Sequence, residues 1–259
     1  MIIRTIQKLV LISLLTLSTS VFADDKINWN GFYGSVLVGS DWGHVSEGDA
    51  YVTGYTGGYQ NAYKLTGGRS PSIEGVSLNL KLGFNKQIDT NLFGVELGGT
   101  LQTAKSKNGS LNTYWNSTIY PPNSGNDGPE ATPNTTQTRI QNYGPWSGRR
   151  GHIFNETTLV YLKGGLAYGE IKRSVIVTGD YFDSGTSVKD NKIESGYALG
   201  IGAEHKINDK LSLRADYEYI DFGTINFNYN GKFVGMDINQ TQSNSIHFSN
   251  LSAGVSYAF

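Results

Sequence analysis

Cysteine is absent from this 259-residue chain, which excludes a disulfide framework, thiol catalysis and thiolate metal centres. Net charge is nearly absent too: 21 Lys and Arg stand against 22 Asp and Glu, a formal −1. With no basic field to attract it, nucleic acid is excluded as a partner by bulk electrostatics. The four histidines, at 44, 152, 205 and 247, include no pair at a sequence spacing suited to a metal ligand set. Met (2) and Pro (6) are scarce, and no long apolar run follows residue 23. A helical membrane protein needs about 20 consecutive apolar residues per span, so that class is excluded. The glycines do not sit at a strand-to-helix turn, which removes a phosphate-cradling loop.

What the chain has in quantity is Gly (33), Tyr (16) and Phe (11). Its start reads as a secretory signal. Arg4 and Lys8 form a basic n-region, Leu9 to Leu17 an apolar h-region, and Val21-Phe22-Ala23 a small-residue cleavage site. Residues 1–23 are expected to be removed, leaving 24–259 as one all-β domain.

Eight stretches alternate with the period of a strand. In Leu211 to Tyr219, Leu211, Leu213, Ala215, Tyr217 and Tyr219 face one way and Ser212, Arg214, Asp216 and Glu218 the other. Val76 to Asn85, Leu92 to Thr103, Leu159 to Val177 and Ile193 to Lys206 behave alike. So do Trp29 to Gly43 and a last stretch from Ile246 to Phe259. The fourth stretch, Thr138 to Phe154, alternates poorly and contains Pro145, which removes a ladder donor. Strands with one apolar face and one face that is small or charged suit lipid outside and a crowded interior within. Tyr257 and Phe259 on the last strand would close the ring.

The connections alternate in length. Gln87 to Asn91, Asn155 to Thr158 and Ile207 to Lys210 are short; about 44–74, 105–137, 178–192 and 223–245 are long. The expected fold is an eight-stranded antiparallel transmembrane β-barrel with short periplasmic turns and four long extracellular loops. A soluble sandwich or lipocalin is the competing architecture. Eight strands enclose only enough room for side chains. Lys81, Lys163 and Arg214 are expected to meet Glu96, Glu204, Asp216 and Glu218 as ion pairs plugging the lumen; a narrow ion path or gate is the other reading. Tyr51, Tyr55, Tyr59 and Tyr63 in the first loop are expected to pack within it or to anchor the rim.

Six segments in order carry a family resemblance: WNGFYGSVLVGSDWG (29–43), FGVELGGTLQ (93–102), LVYLKGGLAYGEIK (159–172), GYALGIGAEHKI (196–207), LSLRADYEYIDFG (211–223) and SNLSAGVSYAF (249–259). Together they resemble the small alphaproteobacterial-type outer-membrane β-barrel proteins, the "porin family", which include hemin-binding members. PWSGRRGHIF (145–154) departs from the family's usual order. The resemblance implies a Gram-negative cell outer membrane location, with surface antigen or adhesion-type contacts and no enzymatic activity. The implied partners are outer-membrane lipid and lipopolysaccharide, the barrel assembly machinery acting on the C-terminal strand, and a host or hemin ligand. No cofactor is expected unless hemin binds; His44 in the first loop and His247 near the outer end of the last strand are the candidate ligands. A second alternative is a lipid A acyl hydrolase using His247 and Ser249, a His-x-Ser pair lacking an evident orienting carboxylate. Because the chain stops at its eighth strand, no peptidoglycan-binding domain is expected.

Overall fold

The structure, a computed structural model, describes residues 28–56, 59–65, 70–106, 109–111, 134–177, 186–233 and 236–259. The signal-like residues 1–23, and much of the 105–137 connection, lie outside the described residues. Every regular element among those described is a strand: β1 (Gly31–Thr56), β2 (Tyr59–Leu65), β3 (Ser72–Ile88), β4 (Asn91–Gln102), β5 (Lys105–Ser106), β6 (Gly109–Leu111), β7 (Asn134–Phe154), β8 (Thr158–Val177), β9 (Thr186–Lys206), β10 (Leu211–Phe233) and β11 (Met236–Ala258).

Eight of these form a closed antiparallel ring in the order β1-β3-β4-β7-β8-β9-β10-β11, with β1 pairing both β3 and β11. Closure pairs the lower length of each stave on both sides, which satisfies backbone groups there without water; among the described residues the β9–β10 ladder runs from Lys206 opposite Ser212 to Tyr197 opposite Asp221. The seam runs from Tyr33 opposite Ala258 to Gly54 opposite Ile238. Directly paired residues can be followed around the ring from His44 through His247, Asp221, Tyr197, Leu166, Trp146, Leu97 and Leu82. They return to β1 at Gly34, a stagger of ten residues. With eight strands, such a stagger tilts the staves roughly 40° and leaves a lumen that side chains fill.

The turns match their chemistry. Asp89 in the β3–β4 turn and Asn155 in the β7–β8 turn take positive φ (54° and 49°), which short polar residues tolerate best among non-glycines. Phe259 follows β11 directly, its amide bonded to the Phe32 carbonyl (3.0 Å) and the residue 76% exposed.

The outward faces near the short turns are apolar: Val36, Val38, Leu80, Leu82, Val95, Leu97, Leu162, Leu166, Leu199 and Ile201 are exposed. Toward the other end the polarity inverts. On β10, Thr224, Asn226 and Asn228 face out while Ile225 and Phe227 are buried within. These join Val45, Ile73, Ile140, Ile171, Ile246 and Phe248 in an interior apolar cluster. The barrel is thus inside-out where lipid surrounds it and built like a water-soluble protein above.

The expected long connections are corrected by this extension. Residues 44–56 and 59–65, assigned to the first loop, are strand; Tyr51 and Tyr55 lie on β1 and Tyr59 and Tyr63 on β2, a hairpin. The connections placed at 178–192 and 223–245 likewise become strand over 186–192, 223–233 and 236–245. The reason is local. At Gly223 (φ +65°) a bulge between Asp221 and Thr224 shifts the register, so the inward set passes from even to odd numbers. Alternation read from sequence stops there, although the strand continues. Another irregularity, between Ile140 and Asn142, does the same to β7.

Candidate functional site

The lumen holds a compact charge cluster. Lys81 (β3), Arg149 (β7), Lys163 (β8) and Arg214 (β10) face Glu96 (β4), Glu204 (β9), Asp216 and Glu218 (both β10), and all eight are buried. The Lys81 ammonium lies 2.8 Å from Asp216 and 3.0 Å from Glu218. Lys163 lies 2.7 Å from Asp216 and 2.8 Å from Glu218. Arg214 bridges Glu96 (2.7 Å) and Asp216 (2.8 Å). Arg149 completes the set through Glu204 (2.7 Å) and donates from Nε to Asn85 (2.9 Å). Four cations against four anions leave the cluster neutral. A buried charge is tolerated only when paired and hydrogen-bonded in this way.

Two tyrosines pin the cluster in place. Tyr33 donates to Glu96 (2.6 Å) and Tyr161 to Asp216. The Arg149 guanidinium lies 4.4 Å from the Tyr33 ring centre and 4.8 Å from that of Tyr161, so each ring offers its face to a cation. Each ring also lies against a glycine on a neighbouring stave. A Cβ at Gly83 would strike the Tyr33 ring, and one at Gly202 the Tyr161 ring. The inward glycines are therefore the counter-shape of the tyrosines.

Apolar layers cover the cluster on both sides. At the turn end sit Trp29, Leu92, Ile153 and Leu159; Trp29 Nε1 donates to the Glu156 carbonyl (2.9 Å), and the Lys206 ammonium lies 5.0 Å from its ring. At the other end the larger cluster around Tyr143, Phe222 and Phe248 intervenes. Beyond it lies a second polar group: Arg173, fully buried, contacts Glu47 (3.2 Å) and donates to Gln242 (2.8 Å), while Thr136 donates to Glu47 (2.7 Å).

On the outer face, His44 on β1 stands directly opposite His247 on β11, their ring centres 6.4 Å apart, and the Tyr219 ring centre lies 6.2 Å from that of His247. His44 is thus a strand residue, which corrects its expected place in the first loop. Ser249 shares the outward face with His247, but its hydroxyl pairs with that of Tyr217 at 2.9 Å. Asp221 is in register with His247. Its carboxylate accepts instead from Tyr197 (3.0 Å) and from the Gly223 amide (2.7 Å). The serine and the carboxylate that an acyl-transfer relay would need are both engaged elsewhere.

Residues 9–259 match the family model for the outer membrane protein beta-barrel domain. The chain belongs to this family. It is an outer-membrane protein of the Gram-negative type, its short turns on the periplasmic rim as in other barrels of this kind. Among curated proteins it is similar to the 31 kDa outer-membrane immunogenic protein of Brucella melitensis, at 26% identity over 197 residues, covering 76% of this chain and 71% of the relative. Among solved structures it is similar to the outer membrane protein OprG from Pseudomonas aeruginosa, at 14% identity and a TM-score of 0.47, covering 91% of this chain and 99% of that one. It is also similar to Neisserial surface protein A, at 15% identity and a TM-score of 0.31, covering 86% of this chain and 97% of that one.

Within this outer-membrane barrel, the lumen cluster includes residues that sequence reasoning passed over. Arg149 was hidden by the weak alternation of its strand, yet Trp146 outward and Ser147, Arg149 and Gly151 inward follow a plain period of two. Arg173 shares the inward parity of Lys163, so continuing the β8 pattern would have found it. Glu47 had no such signal, because its segment read as loop.

Proposed function

We propose that the protein is a non-enzymatic surface barrel, closed to solute flow, that anchors in outer-membrane lipid and carries a water-exposed barrel extension and loops outside the cell. The carrying observation is the neutral set of eight buried charges, drawn from six staves and sealed by apolar layers above and below. The extension presents hydroxyl and amide groups outward, a surface suited to antigen or adhesion-type contacts. The immunogenic role in the Brucella relative's name is in keeping with that display. The outward Tyr257 and Phe259 give the C-terminal strand the alternating pattern that barrel assembly machinery would engage. In planar bilayers the purified protein is expected to show no large, stable conductance; well-resolved open channels in the wild type would overturn the closed-lumen reading.

A second reading is favoured by the meeting of His44 and His247. An outward imidazole pair at the edge of the lipid-facing band offers nitrogen ligands to hemin iron. Hemin added to the folded protein in detergent is then expected to shift its Soret absorbance, and His44→Ala with His247→Ala to abolish the shift. A titration with no spectral change in the wild type removes this reading.

A further inference from the structure

The outer face carries an arrangement that the closed barrel does not need. Lys105 on β5 pairs in register with Arg139 on β7, and Arg139 with Lys172 on β8. Lys105 and Arg139 are exposed, and the Lys172 side chain is 44% exposed. Like charges directly opposite one another destabilise a sheet. Two carboxylates flank the row: Glu74 is opposite Lys105, and Glu170 lies 3.4 Å from the Lys172 ammonium. Arg139, in the middle, has a cation on each side. Three cations held against their mutual repulsion form a site for an anion.

The surroundings specify which kind. After Leu101 opposite Asn142, the next pairing toward the extracellular side is Lys105 opposite Arg139. Residues 102–104 on one side and 140–141 on the other lie between these pairs. A cleft of about 570 Å³ opens there, lined by Leu101, Thr103, Lys105, Arg139, Gln141 and Asn142, with Glu74 also on its wall. Both side-chain polar atoms of Gln102, which also borders it, are buried without a hydrogen-bond partner among the described residues. Along the barrel axis the order is an exposed Leu101 continuous with the lipid-facing band, then hydroxyl and amide groups, then cations. That is the order of acyl chain, sugar and phosphate in an amphiphile standing in the outer leaflet.

We propose that this cleft binds the phosphorylated sugar headgroup of an outer-leaflet glycolipid, with Arg139 and Lys105 on the phosphate, Gln141, Asn142 and Thr103 on the sugar, and Lys172 at the edge. Arginine suits the central place because its planar fork can engage two phosphate oxygens at once. The inference rests on the membrane placement of the barrel and adds a headgroup site to it.

The test uses full-length folded protein in phosphatidylcholine nanodiscs doped with bisphosphorylated lipid A, or with the same lipid A after removal of its phosphates. Bound lipid is counted by native mass spectrometry. Wild type is expected to retain the phosphorylated form in preference. The double variant Lys105→Glu/Arg139→Glu should lose about tenfold or more of that retention, and Lys172→Glu a smaller share. Lys210→Glu on the periplasmic turn should change nothing. Equal retention of the two lipids, an unaffected double variant, or an equal loss in the Lys210 control would each overturn the site. Neutral variants at 105 and 139, checked by heat-dependent gel mobility, replace the charge reversals if those fail to fold. Failure of the wild type to enter nanodiscs at all would strike the membrane placement instead.

Discussion

Asp216→Asn is expected to cost about 3–5 kcal/mol of barrel stability, the usual penalty for removing one partner of a buried ion pair. Asparagine preserves the shape, so the loss isolates the charge. Asp216 accepts from Lys81 (2.8 Å), Lys163 (2.7 Å), Arg214 (2.8 Å) and the Tyr161 hydroxyl, and no other carboxylate of the cluster serves all three cations at so short a range. Its neutralisation leaves four buried cations facing three buried carboxylates. Urea unfolding in lipid vesicles, followed by tryptophan fluorescence, would show the lowered midpoint. Adding Lys163→Met to Asp216→Asn restores neutrality, and Lys81 remains to serve Glu218 (3.0 Å). The double variant is therefore expected to recover part of the loss. If it is no more stable than Asp216→Asn alone, charge balance is not what holds the cluster, and lost hydrogen bonds to Asp216 are the better account.

The same cluster shows how far the chain could be read without coordinates. Lys81, Lys163, Glu96, Glu204, Arg214, Asp216 and Glu218 occupy the inward parity of strands whose outward parity is apolar, and a membrane wall makes that alternation unmistakable. Their partners in space could not be read, because pairing across the lumen depends on the stagger of the ring, which only the register reveals. Arg149 dropped out because Pro145 and a displaced residue at Gln141 disturbed its strand. The upper barrel dropped out for a different reason. Above the lipid the rule that ties apolar to outward is reversed, and at Gly223 the bulge also moves the inward set by one residue. Ile225 and Phe227 then follow Phe222 on the inward face at the wrong parity. Two changes within a few residues erase the periodicity while the backbone continues unbroken to Phe233. His44 and His247 could each be named, but their meeting follows from the β1–β11 seam alone.

Placing arginine at two outward positions tests the inversion of polarity directly. Leu162 lies outward on β8, 66% exposed, within the apolar band. Leu162→Arg is expected to cost about 2–4 kcal/mol in a bilayer, the range for arginine on a lipid-facing barrel position near the midplane. Thr224 is also outward and exposed, on β10 just beyond the Gly223 bulge, where its hydroxyl pairs with that of Ser245 (3.0 Å). Thr224→Arg is expected to change stability by no more than about 0.5 kcal/mol, as at an ordinary wet surface. The comparison needs lipid vesicles, because the penalty at Leu162 comes from stripping water off the guanidinium in hydrocarbon. Equal costs at the two positions would mean that both share one solvent, and the boundary between membrane wall and extracellular extension would have to be redrawn. Unequal costs place that boundary between Tyr217, the last outward exposed aromatic before the bulge, and Thr224 beyond it. The exterior changes solvent there as the interior passes from the ion pairs to the apolar layer around Phe222 and Phe248, so the two faces exchange character across that step.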